Sequence, residues 1–125
     1  MDDATFPYLY DRAGSRYPIS EARWRGDDGS PLMASALPGI TRDGVDRSQR
    51  SQWRYRAALP VVPDRWVSLG EGCTPLLPAV VNGVQVHVKP EWFNPTASFK
   101  DRGTTVMISV LASQGITDIL EDSSG

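Results

Sequence analysis

Between Val84 and Gln114 the hydrophobic period changes once, and that change constrains the fold more than any other feature. Val84-Gln85-Val86-His87-Val88 alternates apolar and polar residues, the pattern of a half-buried strand. From Phe99 to Gln114 the apolar residues Phe99, Val106, Met107, Val110 and Leu111 follow helical spacing. Ser98 with Asp101 three residues later has the form of a capping box, with Asp in place of Glu. Gly115 follows Gln114, where a left-handed C-cap residue is expected. Ile116-Thr117-Asp118-Ile119-Leu120 then reads as a second strand, ending at the turn Ser123-Ser124-Gly125. Strand, loop, helix and strand make one βαβ unit with a right-handed crossover, and hence an α/β fold class.

Lys100 falls in the first turn of that helix. The helix dipole is positive there and disfavours a second cation, so a structural lysine is poorly placed. The same field favours the neutral amine that a carbonyl-trapping lysine needs. The loop before Lys100 and the turn after the second strand then both fall at the carboxyl ends of parallel strands, where open α/β sheets bind ligands. That placement points to one site built from Lys100 and the Ser123–Gly125 turn.

Composition removes several classes of function. At 125 residues the chain is one domain or part of one. A formal net charge of -2 gives no basic surface for nucleic acid. No apolar run approaches the roughly 20 residues that span a bilayer, and the acidic start Met1-Asp2-Asp3 is unlike a signal peptide. Cys73, the single cysteine, has no partner for an internal disulfide, which suits a cytoplasmic location. Nothing in the sequence supplies it with a His base, so it reads as an ordinary thiol. His87 is the only histidine and lies in the strand pattern, so a His-based metal site is not expected.

Residues 1–35 are rich in aromatic and turn-forming residues, with short alternating runs at 15–19 and 22–25 that suggest small hairpins. Residues 34–50 read as loop. Ser51–Ala58 reads as a short packed helix, and Pro60–Trp66 as a connector into the Gly70-Glu71-Gly72 turn.

The segment Asn94-Pro95-Thr96-Ala97-Ser98-Phe99-Lys100-Asp101-Arg102-Gly103 resembles the lysine segment of fold-type-II pyridoxal-phosphate enzymes, most of all threonine synthases. Ser68-Leu69-Gly70-Glu71-Gly72-Cys73-Thr74-Pro75-Leu76 resembles the Gly-Glu-Gly-x-Thr-Pro-Leu stretch upstream of that lysine, with Cys73 where Asn is more usual. Ser123-Ser124-Gly125 resembles the start of a Ser-Ser-Gly-Asn loop that touches the cofactor.

The resemblance implies the start of a doubly wound open sheet, preceded by a small irregular, β ribbon-like segment. It divides the chain into a ribbon at 1–35, a connector at 36–66 and the first part of a catalytic domain at 67–125. Several threonine synthase-like enzymes hold zinc in that ribbon. Here the ligand positions would be Tyr10, Ala13, Gly26 and Asp28, with no cysteine among them, so no metal is expected and aromatic packing is expected to hold the ribbon.

For the site, the resemblance implies that Lys100 binds pyridoxal 5'-phosphate through its amine and moves protons at the substrate α-carbon. It implies that Ser124 and Gly125 help bind cofactor and substrate carboxylate, and that Glu71 and Thr74 border the pocket. Asn94 and Thr96 are expected to shape the loop, and Asp101 and Arg102 to act as cap and anchor. Phe99 is expected to pack beneath the sheet.

The implied reaction converts O-phosphohomoserine and water to threonine and phosphate. A sibling lyase (threonine dehydratase, cysteine synthase or diaminopropionate ammonia-lyase) and a non-catalytic partner-binding chain stay open beside it. The implied partners are a small-molecule amino-acid substrate and a second copy in a homo-oligomer, without nucleic acid or membrane. The family's later phosphate loop is not in this sequence, so the chain is expected to be an N-terminal piece, inactive alone.

Overall fold

A computed structural model describes residues 7–37, 39–61 and 63–122. Its architecture is α/β, with two small antiparallel sheets and one α-helix. Ser123, Ser124 and Gly125, expected at the site, lie outside the described residues.

The N-terminal sheet has β1 (Tyr8–Tyr10) between β2 (Arg16–Pro18) and β3 (Met33–Ala34). Leu9 lies opposite Tyr17 on one side and Ala34 on the other. Residues 22–25 form no strand; only an isolated bridge joins Arg25 to Pro31. A buried carboxylate fastens the β1–β2 loop. Asp11 accepts from Ser15 N at 2.8 Å and from Tyr17 Oη at 2.6 Å. Tyr17 Oη in turn accepts from Asp27 N at 3.0 Å, tying the second turn to the first. The phenol hydrogen bond holds the Asp11 carboxyl below its ordinary range, and the same bond raises the Tyr17 hydroxyl.

Gly26 is required at this crossing, because a Cβ there would lie 2.6 Å from Asp11 Cβ. Arg16 stacks over Tyr8 and Arg23 over Tyr17, at 4.5 and 4.3 Å from the ring centroids. This N-terminal sheet is therefore held by a hydrogen-bond latch and by arginine–tyrosine stacking, while Trp24 is 84% exposed and takes no part in a packed aromatic cluster.

The expected helix at Ser51–Ala58 forms as a 3-10 helix over Gln52–Ala58, with Ser51 Oγ accepting from Trp53 N at 3.2 Å. Trp53 is only 1% exposed, stacks on Trp66 with centroids 5.9 Å apart, and donates Nε1–H to Val67 O at 2.8 Å. An indole buried this completely needs such an acceptor.

The strand at Val84–Val88 forms as β5. Its partner, β4 (Leu77–Val81), carries no alternating pattern that would announce it. Asn82 and Gly83, both at positive φ, turn one into the other. An Asn-Gly pair between apolar runs is the strongest short-range hairpin signal, and here it is the signal that marks β4.

Helix α1 runs over Asp101–Ser113, two residues shorter at its start than the periodicity suggests. Phe99 and Lys100 lie in the turn before it. Gly115 takes the left-handed conformation expected after the helix.

The structure corrects further expectations here. Residues 116–120 form no strand, and Leu120 is 98% exposed. A strand exists through its ladder, and β5 pairs antiparallel with β4, so no βαβ unit forms among the described residues. The buried face of α1 is also not the apolar one. Asp101, Thr105 and Ser109 are buried, while Phe99 is 64% exposed instead of packing beneath a sheet.

Candidate active site around Lys100

The lysine segment is held by a loop that folds on itself. Asn94 is buried, and its Nδ2 donates to Glu91 O at 2.8 Å and Glu91 Oε2 at 3.0 Å. Ala97 adopts φ 59, a left-handed position that most non-glycine residues avoid. Asp101 caps this loop by accepting from Thr96 N at 2.8 Å and from Thr96 Oγ1. The expected Ser98–Asp101 box is therefore replaced by Thr96–Asp101. Ser98 Oγ accepts from Lys100 N at 3.2 Å instead. Asp101 begins the helix with its carboxylate turned to the loop's own donors, which satisfies those donors and suits the dipole together.

The upstream glycine turn is clamped to this loop. Gly72 N donates to Asn94 Oδ1 at 2.9 Å. Gly72 also sits at φ +87, and a Cβ there would lie 3.1 Å from Gln52 N and 3.2 Å from Arg102 Nη1. Both conditions require glycine. Arg102 donates to Glu91 with Nε–Oε2 at 2.7 Å and Nη2–Oε1 at 2.9 Å, and to Thr74 Oγ1 at 3.3 Å. This forked pair is the expected anchoring role of Arg102, and its partner Glu91 is the residue that sequence reasoning missed. The Arg102 guanidinium holds the Glu91 carboxyl down at about 2, with Asn94 adding a further donor. Lys89 Nζ donates to the Thr74 carbonyl, so that amine is engaged.

Glu71, expected at the pocket border, is fully buried and serves its own turn. Its Oε2 accepts from Leu69 N at 2.8 Å and Ser68 Oγ at 3.0 Å, while Oε1 has no partner among the described residues. Thr74 is buried beside it in sequence, held by Arg102 and Lys89. Cys73 is exposed at φ 48, with Arg54 Nη1 3.1 Å from Sγ. His87 lies in β5.

Beneath the site α1 rests on hydroxyls. Ser109 Oγ accepts from Val67 N at 2.8 Å and donates to Thr105 O at 2.6 Å. Ser113 Oγ accepts from Asp64 N at 3.2 Å and donates to Ser109 O at 2.9 Å. Gln52 Nε2 bonds Arg102 O and Thr105 Oγ1. The helix that follows Lys100 is thus fixed against the 52–67 segment.

Lys100 itself is exposed. Its Nζ makes no hydrogen bond or ion pair among the described residues. It lines an open concavity with Glu91, Phe99, Arg102, Thr104 and Met107. A primary amine of this kind, beside apolar walls, can attack a carbonyl compound. Among the described residues no three His, Cys, Asp or Glu side chains gather as a metal site, and no helix is long and apolar enough to cross a membrane.

Residues 67–125 match the family of pyridoxal-phosphate dependent enzymes. The chain is 40% identical over 103 residues to the threonine synthase of Synechocystis sp., a match covering 77% of this chain and 27% of that protein. It is 40% identical over 85 residues to that of Halalkalibacterium halodurans, covering 60% and 24%. With that of Mycobacterium tuberculosis it shares 43% over 77 residues, covering 57% and 21%. The chain thus spans about a quarter of the length of these relatives. No solved structure matches it. The family's cofactor, pyridoxal phosphate, requires a primary amine, and the unengaged Lys100 Nζ beside the concavity fits that requirement where Lys89 does not. The chain is threonine synthase-like, and its residues 67–125 match the family of pyridoxal-phosphate dependent enzymes.

Proposed function

We propose that the chain carries the lysine-bearing part of a threonine synthase-type lyase, acting on O-phosphohomoserine and water to give threonine and phosphate. One observation carries this reading. Lys100 Nζ is exposed and unengaged on the residue just before α1, within the segment that matches the family. When bound, pyridoxal phosphate supplies a sink for the negative charge that develops at an amino acid's α-carbon. Lys100 would hold the cofactor at its aldehyde carbon and is the group to take and return protons at that α-carbon. Ser124 and Gly125 would offer hydroxyl and N–H donors to the cofactor and the substrate carboxylate. Asn94, Thr96 and Asp101 keep the loop before Lys100 in shape, through bonds within the loop itself.

In this reading the ribbon at 1–35 and the connector at 36–66 precede the catalytic part at 67–125. The β4–β5 hairpin and α1 then open a doubly wound sheet. The protein works in the cytoplasm on a small amino-acid substrate, as a homo-oligomer and without nucleic acid.

The chain has two lysines, Lys89 and Lys100, which makes the test direct. Purified chain is incubated with pyridoxal phosphate, reduced with borohydride and mapped by peptide, beside Lys100→Ala. Labelling that saturates at Lys100 and is lost in Lys100→Ala is expected. Labelling spread equally over Lys89 and Lys100 would overturn the assignment.

A further inference from the structure

The chain has two asparagines, and the fold treats them in opposite ways. Asn94 is buried, both ends of its amide are engaged, and Pro95 follows it without an N–H. Asn82 is exposed at the tip of the β4–β5 hairpin, and Gly83 follows it. The Asn82 side-chain amide makes no hydrogen bond among the described residues, and neither does the Gly83 N–H. A Cβ at Gly83 would meet nothing within 4 Å, so the turn is open on that side. Two aspartates, Asp28 and Asp43, also precede glycines, and there the glycine amides are taken. Gly29 N donates to Gly26 O at 2.9 Å, and Gly44 N to Thr41 O at 3.1 Å. Asp28 Oδ1 is occupied as well, accepting from Ser30 N at 2.8 Å. Of these three pairs, only Asn82-Gly83 joins an unengaged side-chain carbonyl to an unengaged N–H among the described residues.

We propose that Asn82 is a site of spontaneous covalent modification, deamidating through its own turn while the chain is folded. The Gly83 nitrogen attacks Asn82 Cγ and closes a cyclic imide. The Cγ–Nδ2 bond breaks, and Nδ2 leaves as ammonia with the proton from Gly83 N. Water then opens the imide at either carbonyl, which gives aspartate or isoaspartate at position 82. Glycine favours the first step because no side chain shields the attacking nitrogen. Isoaspartate routes the main chain through Cβ and Cγ, so the two-residue loop between β4 and β5 gains a backbone atom. Turn type and loop length fix a hairpin's register, which here sets Val81 opposite Val84 and Leu77 opposite Val88. The modification therefore lengthens the loop that holds this register and makes a neutral tip anionic.

The test ages the full chain at neutral pH and physiological temperature, in buffer and in denaturant, and maps its peptides. The peptide with Asn82 should convert in buffer at a rate close to that in denaturant, with isoaspartate among the products. Asn94 should stay intact. Isoaspartate at Asp28 and Asp43 should form in denaturant and not in buffer. Conversion of Asn82 in denaturant alone would mean that the hairpin shields it, and would overturn the proposal. Isoaspartate at Asp28 or Asp43 keeping pace with Asn82 in buffer would overturn it too, because an engaged N–H would then give no protection. Asn82→Gly suits a loop with both residues at positive φ and removes the reacting amide. After ageing, hydrogen exchange should show β4 and β5 losing protection in the native chain and keeping it in Asn82→Gly. Equal protection in the two would overturn the effect on register. Neither Lys100 nor the cofactor enters these measurements, so the proposal and the proposed function can fall separately.

Discussion

The ribbon and the lysine segment are each built around a carboxylate, but at very different sequence range. Asp11 gathers Ser15 and Tyr17, and Tyr17 brings in Asp27, so the latch closes within the first strands of the chain. Glu91 binds Arg102, which reaches back to Thr74, while Gln52 bonds the Arg102 carbonyl. Every bond of the Asp11 latch is local in sequence. The setting of Lys100 exists only when segments from Gln52 to Ser113 have come together. The region with the chemistry draws on more distant segments, so it is the one more exposed to distant damage.

The sharpest way to break this contrast is Trp53→Ala. Removing a 1% exposed indole should cost about 3–5 kcal/mol. Hydrogen exchange should then show α1 losing protection while β1 and β2 keep theirs; equal loss in both would erase the distinction. Gly72→Ala comes next, at about 1–3 kcal/mol for a left-handed backbone and a crowded Cβ, and denaturant melts would read it. Ser109→Ala should cost about 0.5–1.5 kcal/mol, because the part-buried Val67 N–H loses its acceptor. A neutral outcome would mean that α1 is seated by something other than its hydroxyls.

A pH titration sharpens the contrast further. The Glu91 carboxyl sits at about 2 against an ordinary 4.5, so its folded value is depressed. The stability from that pairing is complete above about 4.5 and drains away as pH falls towards 2. The native melting temperature should fall more than that of Glu91→Gln across this window. Parallel curves would show that the pair contributes nothing. Asp11 and Asp46, also held low, titrate in both proteins and cancel from the difference. The smallest effect at the site should come from Tyr17→Phe. It should speed amide exchange at Ser15 and Asp27 and leave Lys100 labelling as it was.

What is legible in the sequence follows the same division. Val84–Val88 and the helix after Lys100 are readable because each carries its own period. β4 escapes notice because Leu77-Pro78-Ala79-Val80-Val81 does not alternate, although Asn82-Gly83 announces the turn. Residues 116–120 look like a strand by composition, but strand identity belongs to a ladder and not to a run of apolar residues. The Thr96–Asp101 cap differs from the expected one by which donor the carboxylate faces, a choice made by the Ala97 turn. Glu91 becomes recognisable only from knowing where the loop brings Arg102. The buried face of α1 is hidden from periodicity, which counts apolar residues, because the residues packed inward are Thr105 and Ser109.

That hydroxyl face has a consequence for direction. An apolar face lets a helix rotate by a few degrees at little cost, since dispersion has no preferred angle. Thr105, Ser109 and Ser113 behave like the teeth of an indexing wheel, each meshing with one fixed N–H of a neighbouring segment. Turning α1 by one residue, about 100°, would disengage all three at once. Lys100 stands one position before the first residue of that helix, so the direction in which its side chain leaves the backbone is set by where three hydroxyls, up to about three and a half turns away, find their donors.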